Sequence, residues 1–213
     1  MISKQQTSYE QLNEQQVVSE GDPFTIERYR QFWRHLSPHT QVVLDIGCNT
    51  GRGGKVLKQS EPKLQIFGLD CVESRLANLP EGIYDREICG YSTDVPLADA
   101  SVDAIVAGEF IEHLYPEDVA QTIAEFYRLL KPHGKLLLTT PNPEYLRLKL
   151  TNGSVLGGAH VSEHYPANLK HQLATANFTK IKICGSGKVS RLVGEGFPIL
   201  SIYGSYLVIA EKS

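Results

Sequence analysis

The chain has 213 residues, 41% of them hydrophobic and 21% charged, with a formal net charge of −3. That length suits one domain with a sizeable core, and the slight acidity excludes a protein built to coat nucleic acid. No apolar run approaches the roughly 18 residues of a membrane-spanning helix. The polar start, MISKQQTSYEQLNEQQ, lacks the apolar stretch of a secretory signal. A cytoplasmic protein without membrane insertion is therefore expected. Cys48, Cys71, Cys89 and Cys184 form no C-x-x-C pair, so neither a disulfide framework nor a zinc ribbon is expected.

Residues 1–23 are rich in Gln and Glu and read as a frayed helix or an arm. Pro23 opens a helix on which Phe24, Arg28, Tyr29, Phe32, Trp33 and Leu36 recur at helical spacing, and Pro38 ends it. From Gln41 short apolar runs alternate with helical segments. Strands are expected at 42–46, 64–69, 83–88, 102–107 and 135–140. Helices are expected at 55–60, 72–78 and 116–130, with a turn at Pro132-His133-Gly134. Such alternation implies βαβ units and a parallel sheet. A further helix is expected at 166–176, then strands at 178–184 and 201–210. The loop between these two strands is too short for a helical crossover, so they should form an antiparallel hairpin. The expected fold is therefore α/β, a Rossmann-like doubly wound sheet, mostly parallel. Residues 1–40 would cap it, 41–141 would form its core, and 142–213 would supply an insert and complete the sheet.

The segment Val43-Leu44-Asp45-Ile46-Gly47-Cys48-Asn49-Thr50-Gly51-Arg52-Gly53-Gly54 runs from strand through glycine loop into helix. It fits neither G-x-G-x-x-G nor the P-loop pattern, because Asn49 and Arg52 occupy glycine positions of the first, and Val56 stands where the second needs Ser or Thr. It does read D-x-G-x-x-x-G. An acid at a strand tip repels a pyrophosphate and suits an ammonium, a sulfonium or a hydroxyl. The next strand closes on Asp70, and in an open parallel sheet both acids face one crevice. There Asp70 is placed either to accept hydrogen bonds from two ribose hydroxyls or to cap the helix that follows.

Four pieces in order, VLDIGCNTGRGG, FGLD, STDVPLADASVDAIVAGEFIEHL and LLKPHGKLLLTTPNP, resemble the class I S-adenosylmethionine-dependent methyltransferases, above all the group acting on small molecules. The resemblance implies a seven-stranded sheet and S-adenosylmethionine as cofactor, with S-adenosylhomocysteine as product. It places Asp45 and Gly47 at the methionine end, with Cys48, Asn49 and Gly51 along its path. Asp70 would lie at the ribose and Cys71 beside the adenine. Ala107, Glu109 and Phe110, in the turn after strand four, would lie near the sulfonium. Many relatives carry an acid after a glycine at the end of strand three; here Gly90 precedes Tyr91, so backbone groups of Tyr91 and Ser92 would take over adenine recognition. The N-P-P-[YF] signature of amide methylation is absent, since strand four ends Ala-Gly-Glu-Phe.

A hydroxyl acceptor calls for a general base, and histidine suits neutral pH. His113 follows strand four, and His160 and His164 lie in a stretch that overhangs the active site in relatives. These three are the candidate catalytic residues; the bland alternative is that they cap or pack. His160-x-x-Glu163-His164 also has the H-x-x-E-H spacing of a zinc hydrolase, but a glycine-rich loop precedes it and Pro166 follows, where a helix is needed. No metal centre is expected. The expected partner is a small molecule, a sugar or glycan precursor or another metabolite and not a nucleic acid, and the chain is expected to be a monomer or homodimer. A non-catalytic, cofactor-binding scaffold is the alternative.

Overall fold

The computed structural model describes residues 9–13 and 23–213. Most of the expected N-terminal arm lies outside the described residues; within it, residues 9–13 are helical. The strands are β1 (Val42–Ile46), β2 (Gln65–Asp70), β3 (Arg86–Cys89), β4 (Val102–Gly108), β5 (Leu130–Pro141), β6 (Phe178–Ser186) and β7 (Ser205–Lys212). They form one seven-stranded sheet in the order β3-β2-β1-β4-β5-β7-β6. The first five strands run parallel, and β7 is antiparallel to both of its neighbours. The expected mixed α/β sheet with its antiparallel C-terminal hairpin is thus the observed one. No helix among the described residues is long and apolar enough to cross a membrane.

The sheet is covered on both faces, and strand periodicity sorts its side chains between them. Val43, Ile66, Val106, Leu137 and Leu207 turn one way, against α1 (Pro23–His35) and α2 (Arg52–Ser60). Leu44, Leu69, Ile105, Leu136 and Val208 turn the other way. They meet α4 (Pro116–Leu129) and α6 (Pro166–Thr175), which supply Ile123, Phe126, Leu169 and Leu173. The short helices α3 (Glu73–Leu76), α5 (Leu146–Thr151) and α7 (Ser190–Val193) lie in the connections.

Helix α1 carries Arg34 and His35 in its last turn, where cations suit the helix C-terminus. Its End is also tied across the molecule, because His35 Nε2 lies 2.6 Å from the Glu195 carboxylate. That contact holds the Glu195 carboxyl down at about 2. Gln31 donates to the Gly185 carbonyl and to Glu195, fixing α1 to the end of β6.

Three boundaries differ from those expected. Pro132-His133-Gly134 is not a free turn, because α4 passes directly into β5. The three residues bulge out between the pairs Val102–Leu130 and Ala104–Lys135. A Cβ on Gly134 would lie 2.8 Å from the Lys131 carbonyl oxygen, so only glycine fits this bulge. Strand β3 starts later than Ile83, because the Asp85 side chain accepts from the Ile66 amide and from Lys58 instead. Strand β7 starts at Ser205, because Leu200–Ile202 close a single 3-10 turn.

Candidate active site

The strand order reverses between β1 and β4, and their carboxyl ends open into a crevice, the position where open α/β sheets bind ligands. The loop after β1 is pinned to the end of β2. Gly47 and Cys48 amides donate to the Leu69 carbonyl at 2.8 and 3.0 Å, and the Asn49 amide donates to Asp70 Oδ2 at 2.9 Å. Gly47 has φ +68, and a Cβ there would lie 2.9 Å from the Phe110 ring. The position requires glycine both for its backbone and for its contact. A Cβ on Gly53 would fall within the Tyr29 ring, so the helix after the loop and α1 approach as closely as glycine allows.

A cavity of about 240 Å³ fills this crevice. Of the expected cofactor residues, Gly47, Cys48, Asn49, Asp70, Cys71, Tyr91, Ser92, Glu109 and Phe110 line it, and so does His113. Asp45, Gly51 and Ala107 do not, and neither do His160 and His164. Asp45 lies beneath the loop, fully buried, with Tyr29 donating to Oδ1 at 2.5 Å and Tyr84 donating to Oδ2 at 2.7 Å. Burial raises its carboxyl to about 7, against the two tyrosine bonds that favour the charged form. Ala107 is enclosed within the sheet while Gly108 and Glu109 reach the cavity. Asp70 serves the local turn as well as the cavity, since its Oδ1 accepts from the Val72 amide at 3.0 Å just before α3. A carboxylate has about four acceptor positions, so the two backbone bonds leave capacity for a ligand.

Tyr9 and Asn13, from the helical residues 9–13, close one side of this cavity, a placement that no sequence motif announces. The Tyr9 hydroxyl donates to Asp118 at 2.5 Å and accepts from the Tyr115 amide at 2.8 Å. The Tyr91 hydroxyl donates to Glu10 at 3.0 Å, and Arg75 donates to the Asn13 carbonyl. Arg28, Thr25 and Tyr29 add a wall from α1.

Glu109 follows β4 with φ +51, a left-handed conformation that side chains rarely adopt. Its carboxylate lies 3.7 Å from Arg28 and accepts from Ser205 at 3.3 Å. Arg28 and Glu109 also border a second cavity of about 310 Å³, walled by Phe24, Tyr145, Lys188 and Ser205. The two spaces thus share one ion pair, and apart from Glu109 the second is built from segments outside the 41–141 core.

Past Glu109 the chain makes one 3-10 turn, Ile111–His113. Glu112 is buried there, accepting from Thr140 at 3.0 Å. Burial and the neighbouring Glu109 push its carboxyl well above the usual range. His113 Nδ1 lies 3.0 Å from the Ala159 carbonyl, and the His160 ring meets His113 edge-on at 4.8 Å between centroids. Burial, then the His160 ring, lowers the His113 imidazole to about 4, against the Ala159 and Glu109 carbonyls. His164 is buried, with Nε2 donating to the Ile111 carbonyl at 3.1 Å, and burial lowers its pKa. The Val161 and Ser162 amides donate to the Glu112 carbonyl, which fastens residues 160–164 to the turn after β4. The H-x-x-E-H spacing lies on non-helical backbone, with its two histidines turned to different carbonyls, so it does not build the shared helix face of a zinc hydrolase.

Fit to a cofactor follows from the donor set. Asn49 Oδ1 and Glu109 Oε1 are buried oxygens without hydrogen-bond donors among the described residues, and both residues line the cavity with Asp70. Such acceptors suit a ligand carrying hydroxyls and a cationic group. Residues 44–138 match the family model described as a methyltransferase domain. The chain has the fold of the class I S-adenosylmethionine-dependent methyltransferases. It is 34% identical over 139 residues to a probable S-adenosylmethionine-dependent methyltransferase of Mycolicibacterium smegmatis, covering 64% of this chain and 51% of that one. It is 29% identical over 171 residues to a malonyl-[acyl-carrier protein] O-methyltransferase of Methylococcus capsulatus, covering 78% and 60%. The chain therefore spans between half and three-fifths of the length of these relatives. The crystal structure of a SAM-dependent methyltransferase from Archaeoglobus fulgidus shares the methyltransferase fold with a TM-score of 0.68 and 24% identity, covering 88% of this chain and 92% of that one.

Proposed function

We propose that this protein transfers a methyl group from S-adenosylmethionine to a hydroxyl of a small metabolite. The observation that carries the reading is one cavity lined at once by the glycine loop after β1, Asp70 after β2 and the Glu109–His113 turn after β4. The cofactor supplies a methyl group already activated on a sulfonium. The chain's part is alignment and exclusion of water.

In this reading Asp70 accepts from the ribose hydroxyls, while Asn49 and the Gly47 backbone border the methionine portion. Tyr91 and Ser92 flank the adenine, with residues 9–13 covering that end. Glu109 sits where a cationic centre is favoured. Asp45 acts as a positioning residue: it holds Tyr29 and Tyr84 under the loop. Of the three histidines, His113 is the one placed to touch the acceptor. It is neutral at pH 7, which fits it to accept a hydrogen bond from a hydroxyl. His160 and His164 support it from behind. The chain acts as one unit, with residues 41–141 holding the cofactor. From His113 the acceptor extends past Arg28 and Glu109, which border both spaces, into the second cavity, which takes Tyr145, Lys188 and Ser205 from outside that core.

Calorimetric titration with S-adenosylhomocysteine tests the cofactor assignment, and absence of binding at millimolar ligand overturns it. Turnover of radiolabelled S-adenosylmethionine against a panel of sugars, acyl carriers, phenols and amines tests the acceptor. Product label on nitrogen or carboxyl oxygen, rather than hydroxyl oxygen, overturns that part.

A further inference from the structure

We propose that Glu112, His113 and His160 bind a divalent metal ion at the edge of the cavity. Each of the three side chains offers one ligand atom, and these atoms lie within 4.8 Å of one another. They come from two separate segments, the turn after β4 and the loop after α5, brought together by the amides of Val161 and Ser162 on the Glu112 carbonyl. The chain thus spends backbone hydrogen bonds on holding this juxtaposition.

Two independent features point to a cation. The Glu112 side chain is buried, 1% exposed as a residue, and its Oε1 has no hydrogen-bond donor among the described residues. Thr140 serves only the other oxygen. A buried carboxyl oxygen without a hydrogen-bond partner costs free energy, which a metal ion taking the place of the acid proton would offset. The imidazoles are also oriented as ligands. His113 Nδ1 faces the Ala159 carbonyl at 3.0 Å and His160 Nδ1 faces the Val155 carbonyl at 2.9 Å. A carbonyl only accepts, so Nδ1 keeps its proton in each ring and the lone pair lies on Nε2. Metal-bound histidines are held by this arrangement of ring N–H to backbone carbonyl.

One carboxylate and two imidazoles favour manganese, iron, cobalt or zinc over calcium or magnesium. The set is distinct from the H-x-x-E-H spacing, since Glu163 and His164 take no part. His113 also lines the cofactor cavity, so an ion held by it borders that cavity. This role rests on the methyl-transfer reading. With the ion bound, His113 Nε2 is a ligand and meets the acceptor hydroxyl through the metal; that hydroxyl becomes more acidic and loses its proton to water. The oxygen then forms the new bond to the methyl carbon, the carbon–sulfur bond breaks, and its electron pair stays on sulfur.

The test is calorimetric titration of the untagged, chelator-stripped full chain with MnCl₂ and with ZnSO₄, with manganese binding also followed by electron paramagnetic resonance. One equivalent should bind with a Kd in the micromolar range or tighter. His160→Ala and Glu112→Gln should each weaken it at least about tenfold. Glu112→Gln keeps the shape of a buried residue, and the His160 substitution falls in a loop, so folding is checked by thermal denaturation and one variant suffices if the other misfolds. No binding at about 1 mM of either ion, or wild-type affinity in a folded variant, overturns the site. S-adenosylhomocysteine is titrated into the same samples. Metal binding without nucleoside binding sinks the methyltransferase reading but keeps the metal site; the reverse sinks the metal site alone.

Discussion

The Tyr29 hydroxyl donates to Asp45 Oδ1 at 2.5 Å, joining a helix that precedes the sheet to the tip of its central strand, with both residues buried. Tyr29→Phe removes one of two donors from a buried carboxylate and should lower stability by about 1–3 kcal/mol, read from urea unfolding.

The same pair carries a pH signature. Burial raises the Asp45 carboxyl to about 7 from 3.8 in the open chain, so between these values the folded state holds the extra proton. Its contribution to stability is therefore greatest at low pH and is lost as pH rises through about 7. Asp45→Asn should flatten the stability profile between pH 4 and 7 relative to wild type. Two parallel profiles would contradict the assignment.

Asp70→Asn tests the ribose role without removing the turn, since the asparagine oxygen still accepts from the Val72 amide. Affinity for S-adenosylhomocysteine should fall about 10- to 100-fold, the loss expected for charged hydrogen bonds to hydroxyls. An unchanged affinity would leave Asp70 as a capping residue only.

His113→Ala should lower kcat about 100-fold while S-adenosylhomocysteine affinity changes by less than about threefold. Equal losses in both would mean that the histidine shapes the cofactor cavity rather than meeting the acceptor.

Tyr9→Ala removes the bonds to Asp118 and Tyr115 and the ring contact with Tyr115 at 5.3 Å. S-adenosylhomocysteine should dissociate about tenfold faster in stopped flow, with the overall fold intact by circular dichroism. A wild-type dissociation rate would show that residues 9–13 do not retain the ligand.

The sheet was legible because buried parallel strands leave short apolar runs, as in Val42–Ile46 and Val102–Ala107, and because glycine loops punctuate them. The antiparallel placement of β7 followed from loop length alone. What was illegible depends on long-range packing. Nothing near Asp45 announces that Tyr29 and Tyr84 will occupy its two oxygens, so an acid at a strand tip reads as a ligand contact. Tyr9 lies 109 residues from its partner Asp118, and no periodicity links them. The pairing of His113 with His160 was hidden for the same reason: each histidine was visible, but their meeting depends on how a loop folds back onto the turn after β4.

Strand β7 is synthesised after β6 yet lies between it and β5, with every neighbour antiparallel to it. During vectorial synthesis the five parallel strands can assemble as they emerge, while β6 has no place to dock until Ser205–Lys212 arrive. Tyr206, on that late strand, donates to the His164 carbonyl at 2.8 Å. The loop that presents His160 to His113 is therefore tied first to the Glu112 carbonyl through Val161 and Ser162, and gains its Tyr206 bond only once β7 has paired.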